Sequence, residues 1–278
     1  MCIRDRGDLV IACFGHSSDT EGEASDRTFA LPEVDKKMLA SLSGCKKPII
    51  GVVNAGGNIE MQGWVPTLKG LIWAFYGGQE AGTAVGEALF GKINPSGKLP
   101  MTFEKKWEDN PAYNSYYDPD GDKHVAYTEG IFIGYRGYDK LKREVQYPFG
   151  YGLSYTTFKL SDLTVSKPNA DGTVEVTCRL ANTGKRDGAQ VVQAYVGKTE
   201  SSPVERPEKE LRKFEKVFLQ AGESTTVKMT LPKESFMYFD VNSTQFVTDP
   251  GTYNIMLGFS SRDIKIQKNI QYLSLIHI

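Results

Sequence analysis

The sequence predicts an α/β domain, with a mainly parallel sheet flanked by helices, followed by an all-β sandwich. Three observations carry that reading. Up to about residue 103, apolar runs ending in glycine alternate with helix-like segments. From about Phe158 the pattern becomes period-two alternation broken by short turn signals. Between them lies a stretch rich in Tyr, Asp, Pro and Gly that follows neither period. Buried parallel strands read as continuous apolar runs, whereas half-buried antiparallel strands alternate. The expected domains are 7–157, an α/β domain with its C-terminal connector, and 158–272, the sandwich.

The first strand is expected in "DLVIACFG", Asp8 to Gly15. "LPEVDKKMLASLSG" follows as a helix, with Pro32 suited to the first helical position and Gly44 to the end. Its apolar face is expected to carry Val34, Met38 and Leu42. "KPIIGVVNAGG" is the second strand and "GLIWAFYGG" the third. "QEAGTAVGEALFG" reads as a helix with small residues on a packing face, and "SGKLPMTF" returns to extended chain. Alternating strands and helices argue for a parallel sheet.

Residues 104–156 look like a long surface excursion, and "PFGYGLSYTTF" like a connector. Its tyrosines fit functional loops and inter-domain packing equally well. Beyond it, "FKLSDLTVSK", "TVEVTCRLANTG", "AQVVQAYVGK", "RKFEKVFLQAGESTTVKMTLP" and "GTYNIMLGFS" are strands separated by "NADG", "NTG", "QAGE" and "DPG". That spacing suits an immunoglobulin-like or fibronectin-like sandwich. Asp171 and Asp187, each beside Gly, are expected in turns.

Composition narrows the function. The chain has 278 residues, 40% hydrophobic and 24% charged, with net charge −1. The charge gives no strong attraction to nucleic acid or to an anionic membrane, and no apolar run reaches the length of a membrane span. The ends are unusual. A coding sequence for "MCIRDR", read as its reverse complement, yields Leu-Ser-Leu-Ile-His, the start of the final "LSLIHI". Residues 1–6 and 273–278 are therefore expected to be cloning or assembly scars. The natural protein is expected to extend beyond at least one end, and the start says nothing about compartment. Cys13, Cys45 and Cys178 lack paired spacing, so neither a zinc site nor a disulfide framework is expected. His16 and His124 read as packing or surface residues, and no cofactor or metal is expected. "NAGGN" lacks a phosphate-loop fingerprint.

One loop stands out. "GHSSDTEGEASDR" carries Glu21 and Glu23, closes on Asp26 and Arg27, and follows the first strand. Sites in open α/β sheets form outside the carboxyl ends of the strands. Position and composition alone leave a solvated loop and a chemical one about equally supported.

"EGEASDRTFALPE", "PIIGVVNAGG", "AFYGGQEAGTAVGEALFGKINPSGKLPMTF", "YTEGIFIGYRGYDK" and "YPFGYGLSYTTF" occur in that order. Over residues 7–272 the chain is similar to the C-terminal half of glycoside hydrolase family 3, bacterial β-glucosidases above all. The resemblance implies an N-terminal (β/α)8 barrel that carries an aspartate nucleophile and is absent here. It also implies an α/β sandwich lending a loop to the active site, and a closing fibronectin type III-like domain. The activity implied is retaining hydrolysis of terminal β-D-glucosyl residues, with a β-glucoside or oligosaccharide as substrate. The general acid/base lies in a Glu-x-x-(Asp/Ser)-Arg context in many bacterial members. That places the role on Glu23, with Glu21 as fallback, and leaves Arg27 to orient Asp26 or pin the loop. The chain alone is expected to be inactive. Alternatives are a β-xyloside-cleaving member of the family and a non-catalytic carbohydrate-binding or interaction protein.

Overall fold

The structure, a computed structural model, describes residues 7–23, 26–118 and 120–273. The scar reading at 1–6 and that at 273–278, apart from Leu273, lie outside them, as do Ala24 and Ser25 of the Glu23 frame. The chain divides into two compact units. One runs to Ile93 and takes in Phe103–Asp109; the other holds Asn94–Thr102 and everything from Asn110 onward.

In the first unit, β1 (Val10–Gly15), β2 (Ile49–Asn54) and β3 (Gly70–Trp73) form a parallel sheet in that order. Helix α1 (Glu33–Leu42) lies between β1 and β2 in sequence, α2 (Ala81–Leu89) follows β3, and β4 is the short Phe103–Glu104. One sheet face is a packed core: Ala12 and Phe14 of β1 and Val53 of β2 are buried. The Phe14 ring meets Trp64 edge-on at 5.0 Å.

Helix α1 departs from its expected face and ends. Pro32 is its N-cap, with extended backbone, rather than its first helical residue. Asp35 turns inward, because its carboxylate accepts the Gly15 N–H at 3.1 Å. The inward stripe is therefore Asp35, Leu39 and Leu42, at the i, i+4, i+7 spacing of one helix face. Leu39 and Leu42 are buried, whereas Val34 points to solvent at 72% exposure. Ser43 caps the end through its N–H to the Ala40 carbonyl, so Gly44 is not the cap. At α2 a glycine does serve that purpose: Gly91 has φ 70°, and the Lys92 N–H reaches the Glu87 carbonyl at 2.8 Å.

The second unit holds α3 (Tyr135–Lys140), β5 (Val145–Tyr147) and the β-sandwich. Its strands are β6 (Phe158–Val165), β7 (Val174–Asn182), β8 (Gly188–Lys198), β9 (Glu210–Leu219) and β10 (Ser224–Leu231). A hairpin of β11 (Met237–Asp240) and β12 (Gln245–Thr248) precedes β13 (Gly251–Ser260) and β14 (Asp263–Tyr272). One antiparallel sheet has the order β10-β7-β6, the other β14-β13-β8-β9. Alternate residues of both sheets meet in one core, including Val176, Cys178, Leu180, Val192, Val227, Ile255 and Leu257. β14 was not expected, because in "DIKIQKNIQY" polar residues crowd its alternation, yet it pairs along β13.

"NPSGKLP" and "PFGYGLSYT" prove to be the two halves of one clasp. The Leu99 N–H reaches the Tyr151 carbonyl and the Gly150 N–H the Leu99 carbonyl, both at 2.8 Å. Asn94 Oδ1 accepts the Tyr155 N–H at 2.8 Å and the Ser154 hydroxyl at 3.0 Å. Gly150, at φ 81°, lets Gln193 approach so closely that a Cβ would sit 2.4 Å from its Oε1. Helix α3 is tied down similarly: Asp139, itself buried, pairs with Lys209 Nζ at 2.7 Å and Arg262 Nε at 3.2 Å. Asp171 accepts from the backbone and hydroxyl of Thr173, as a turn residue does.

Asp249, in the "DPG" turn, is more than a turn residue. Its carboxylate pairs with Lys198 and, at 3.1 Å, with Arg206, and accepts the Ser202 hydroxyl at 2.6 Å. Removing one member of such a buried pair leaves an uncompensated charge. Asp249→Ala should therefore cost about 3–5 kcal/mol in urea unfolding; a loss below about 1 kcal/mol would contradict the network's role. In the first unit, Gly15 has φ 140°, and a Cβ there would stand 1.9 Å from the Asn54 carbonyl oxygen. Backbone strain alone sets a cost of about 1–3 kcal/mol for Gly15→Ala; unchanged stability would contradict that geometry.

Candidate functional site

Three strands end together at one edge of the first unit's sheet. β1 ends at Gly15 and His16, β2 at Asn54 to Gly57, and β3 leads into Phe75 and Tyr76. The His16 N–H bonds the Asn54 carbonyl at 2.7 Å, and Asn54 Nδ2 reaches the Phe75 carbonyl at 3.1 Å. Phe75 is held at φ 51°, an uncommon backbone for a bulky residue. These bonds fix the platform on which the Glu21–Glu23 loop lies.

The loop begins as a tight turn. Ser17 carbonyl accepts the N–H groups of Thr20 (3.0 Å) and Glu21 (2.8 Å), and the Thr20 hydroxyl accepts the Ser17 N–H at 3.0 Å. That turn aims Glu21 back at the platform. Its Oε2 accepts the Tyr76 hydroxyl at 2.7 Å and the Gly56 N–H at 3.3 Å, and stands 3.3 Å from Arg27 Nε. Arg27 continues inward: Nη2 donates to the Asn58 carbonyl at 2.7 Å and Nη1 to the Thr28 carbonyl at 3.2 Å. Asn58, buried, donates in turn to the Glu104 carbonyl at 3.0 Å. Arg27 thus pins the loop, the second of its two expected tasks, and does so through Glu21.

Gly56 and Gly57 have a specific reason to be glycine. A Cβ on Gly56 would lie 2.6 Å from Glu21 Oε1, and one on Gly57 3.0 Å from Arg27 Nη2. The two side chains lie where the missing Cβ atoms leave room.

This geometry separates the two glutamates. Partial burial raises the Glu21 pKa, but the Tyr76 hydroxyl, the Gly56 N–H and the Arg27 guanidinium outweigh it and hold the carboxyl below its ordinary value. Glu21 is therefore a carboxylate at neutral pH. Its charge returns the effect: burial, then the hydrogen bond and charge of Glu21, raise the Tyr76 hydroxyl. Glu23 is exposed on the same loop and has no ion-pair partner among the described residues.

His16 was read as packing or surface; it lies buried at the foot of the loop, Nδ1 3.2 Å from the Thr20 hydroxyl. Burial and then the Arg27 charge lower its pKa against the opposing pull of Glu21 and Asp35, so the imidazole is neutral at pH 7. Its Nε2 is buried without a hydrogen-bond partner among the described residues. Neither His16 nor Tyr76 was singled out from the sequence. The signal available was positional, since His16 directly follows β1 and Tyr76 comes three residues after the end of β3, at the carboxyl ends of parallel strands.

Cys13, Cys45 and Cys178 are free thiols, respectively exposed, half-buried and buried. His124 sits at the surface, Nδ1 3.3 Å from Asp122. An arrangement the sequence reading passed over is Asp118, Asp120 and Asp122, whose ligand oxygens lie within 4.8 Å of one another. Asp118 already accepts the Gly121 and Lys123 N–H groups at 2.9 and 2.8 Å, so the loop's own backbone occupies it.

With that geometry in place, comparison with known proteins gives a consistent picture. Residues 4–135 match the glycosyl hydrolase family 3 C-terminal domain, and residues 190–261 the fibronectin type III-like domain. The thermostable beta-glucosidase B of Acetivibrio thermocellus is 39% identical over 274 residues, 98% of this chain and 36% of that protein. An exo-alpha-(1->6)-L-arabinopyranosidase of Bifidobacterium longum is 37% identical over 260 residues, 92% of this chain and 34% of that protein. The crystal structure of the Bifidobacterium adolescentis GH3 beta-glucosidase superposes with a TM-score of 0.91 at 35% identity, covering 96% of this chain and 39% of that one. The chain thus spans about a third of the length of the proteins it resembles. It belongs to glycoside hydrolase family 3, with a match to that family's C-terminal domain followed by one to a fibronectin type III-like domain.

Proposed function

We propose that this chain supplies the general acid/base of a retaining exo-β-glycosidase, and that Glu23 is that group. The observation that carries the reading is the division of labour between two glutamates on one loop. Glu21 is committed as a carboxylate to Tyr76, Gly56 and Arg27. A group held ionised at neutral pH cannot donate a proton to a leaving group there. Glu23, two positions further along the same loop, is exposed.

A retaining glycosidase works with two carboxyl groups about 5–5.5 Å apart, one the nucleophile and one the acid/base. The acid first protonates the departing oxygen, then deprotonates the water that releases the sugar. The partner nucleophile belongs to the remainder of the full-length enzyme, as do most contacts to the sugar. In the full-length enzyme the segment bearing the nucleophile would desolvate the acid/base and bring a second carboxylate beside it, the two conditions under which a carboxylic acid keeps its proton until the leaving group departs. Arg27, Glu21 and Tyr76 are positioning residues: they fix the loop and do not touch the substrate.

The substrate class is a terminal non-reducing β-D-glucosyl residue, in keeping with the beta-glucosidases among the relatives. A pentosyl residue such as a β-xyloside is the second reading. It is favoured by a relative of similar identity that is named for an L-arabinopyranoside.

In the full-length enzyme, Glu23→Gln should lower kcat on substrates with poor leaving groups by about 10²–10⁴-fold, with azide restoring turnover of activated aryl glycosides. Glu21→Gln should lower stability and leave azide without effect. A silent Glu23→Gln with a crippled, azide-rescued Glu21→Gln would reverse the assignment. The chain by itself should not turn over an aryl β-glucoside; turnover abolished by Glu23→Gln would show that it holds its own nucleophile.

A further inference from the structure

His16 is the first residue after β1 and stands at the foot of the Glu21–Glu23 loop. Its backbone N–H is committed to the Asn54 carbonyl at 2.7 Å, and the residue is 7% exposed. The two ring nitrogens differ. Nδ1 lies 3.2 Å from the Thr20 hydroxyl, whereas Nε2 is buried with no partner among the described residues. The Thr20 hydroxyl is where the loop's first turn closes. It accepts the Ser17 N–H at 3.0 Å and lies 3.3 Å from the Ser17 carbonyl, to which it can donate. That carbonyl also holds the N–H groups of Thr20 and Glu21.

These contacts select a tautomer. With its proton on Nδ1, the imidazole donates to the Thr20 hydroxyl, which keeps its own proton for the Ser17 carbonyl. Only an acceptor, Nε2, is then left unpaired. With the proton on Nε2, a buried N–H would face no acceptor, which proteins avoid more strictly. Burying Nε2 unpaired carries a cost that an apolar ring would escape. What such a ring would lose is the bond to Thr20, so that bond distinguishes His16 from core filling. A second proton must go onto Nε2, as a buried donor without an acceptor. It also adds positive charge near Arg27. Glu21 of the loop and Asp35 of α1 pull the other way, but burial and Arg27 prevail and hold the imidazole below its ordinary value. A base with a lowered pKa in the closed state takes its proton more readily once released. The closed loop is therefore fully favoured above about pH 6.5, the ordinary imidazole value, and loses ground as the pH falls below it.

We infer that His16 is a positioning residue for the acid/base loop: its neutral imidazole, with the proton on Nδ1, locks the Ser17–Glu21 turn through Thr20, and a second proton on Nε2 releases that turn and Glu23 with it. His16 touches neither substrate nor reacting atoms. The catalytic consequence rests on Glu23 as the acid/base; the lock itself does not.

The lock is read in this chain by amide hydrogen exchange in NMR, and its consequence in the full-length enzyme by kcat/KM. Wild type is compared with His16→Phe, which fills the space without the bond, and with His16→Asn, whose amide nitrogen can stand at the Nδ1 position and does not titrate. At neutral pH the Thr20 and Glu21 amides should be protected in wild type and His16→Asn, and exchange at least about tenfold faster in His16→Phe. At about pH 5, well below the ordinary imidazole value, wild type should lose protection relative to His16→Asn. In the full-length enzyme, His16→Phe should lower kcat/KM for phenyl β-glucoside by about 10²-fold. For an activated dinitrophenyl glucoside the change should stay within about threefold, because acid assistance matters to the poor leaving group. A merely structural residue would lower both alike. His16→Asn should recover the phenyl value and extend its acid limb to lower pH. Exchange that is equal in wild type and His16→Asn at both pH values would overturn the lock, and this comparison decides alone if His16→Phe does not fold. Equal losses on the two substrates, or an acid limb unmoved in His16→Asn, would overturn the positioning of Glu23 by His16. If the exchange pattern holds while Glu23→Gln is silent on the phenyl substrate, the lock stands and the assignment of Glu23 fails.

Discussion

The candidate site depends on one ion pair and the two hydrogen bonds that accompany it. Arg27, half-buried and donating to the Asn58 carbonyl, stands 3.3 Å from Glu21, whose carboxylate also takes the Tyr76 hydroxyl and the Gly56 N–H. The partners come from the exits of β2 and β3 and from the far end of the loop. A single carboxylate therefore joins the loop to the platform, and its own protonation would weaken all three contacts at once. Because Glu21 is held below its ordinary value, the brace persists across neutral pH. It weakens only when the pH falls through that lowered pKa and the carboxyl protonates. On the proposed reading, the proton-donating group two positions away can then change state without disturbing its own support.

The glycines make that arrangement possible. At Gly56 the contact distances leave no room for a Cβ beside Glu21. The same logic recurs in the second unit, where Gly150 admits Gln193. These positions look alike in the sequence, as glycines in turn-rich stretches, but each is set by a particular side chain arriving from elsewhere in the chain.

Much of the fold was legible because it is written in periodicity. β1, β2, β6, β7, β8 and β13 lie where apolar runs or alternation placed them. What failed were readings that need tertiary partners. Val34 was assigned inward by spacing alone; the bond from Gly15 N–H to Asp35 rotates α1 so that it points out. β14 escaped because lysine, glutamine and asparagine occupy much of an outer strand of the sheet. In the site, Glu23 and Arg27 were singled out through their frame, and the role of Glu23 is the proposed reading. Tyr76 was hidden in an aromatic run, and only the three-dimensional convergence of strand exits shows that it braces Glu21. "NPSGKLP" and "PFGYGLSYT", far apart in the sequence, turn out to hold each other.

The central claim is that Glu23, not the braced Glu21, carries the catalytic proton. It is tested most directly by the pH profile of kcat/KM for an aryl β-glucoside with a poor leaving group, measured on the full-length enzyme and both Gln variants. The alkaline limb reports deprotonation of the essential acid. The account expects that limb to vanish in Glu23→Gln and to survive in Glu21→Gln. An alkaline limb that persists in Glu23→Gln and disappears in Glu21→Gln would contradict it.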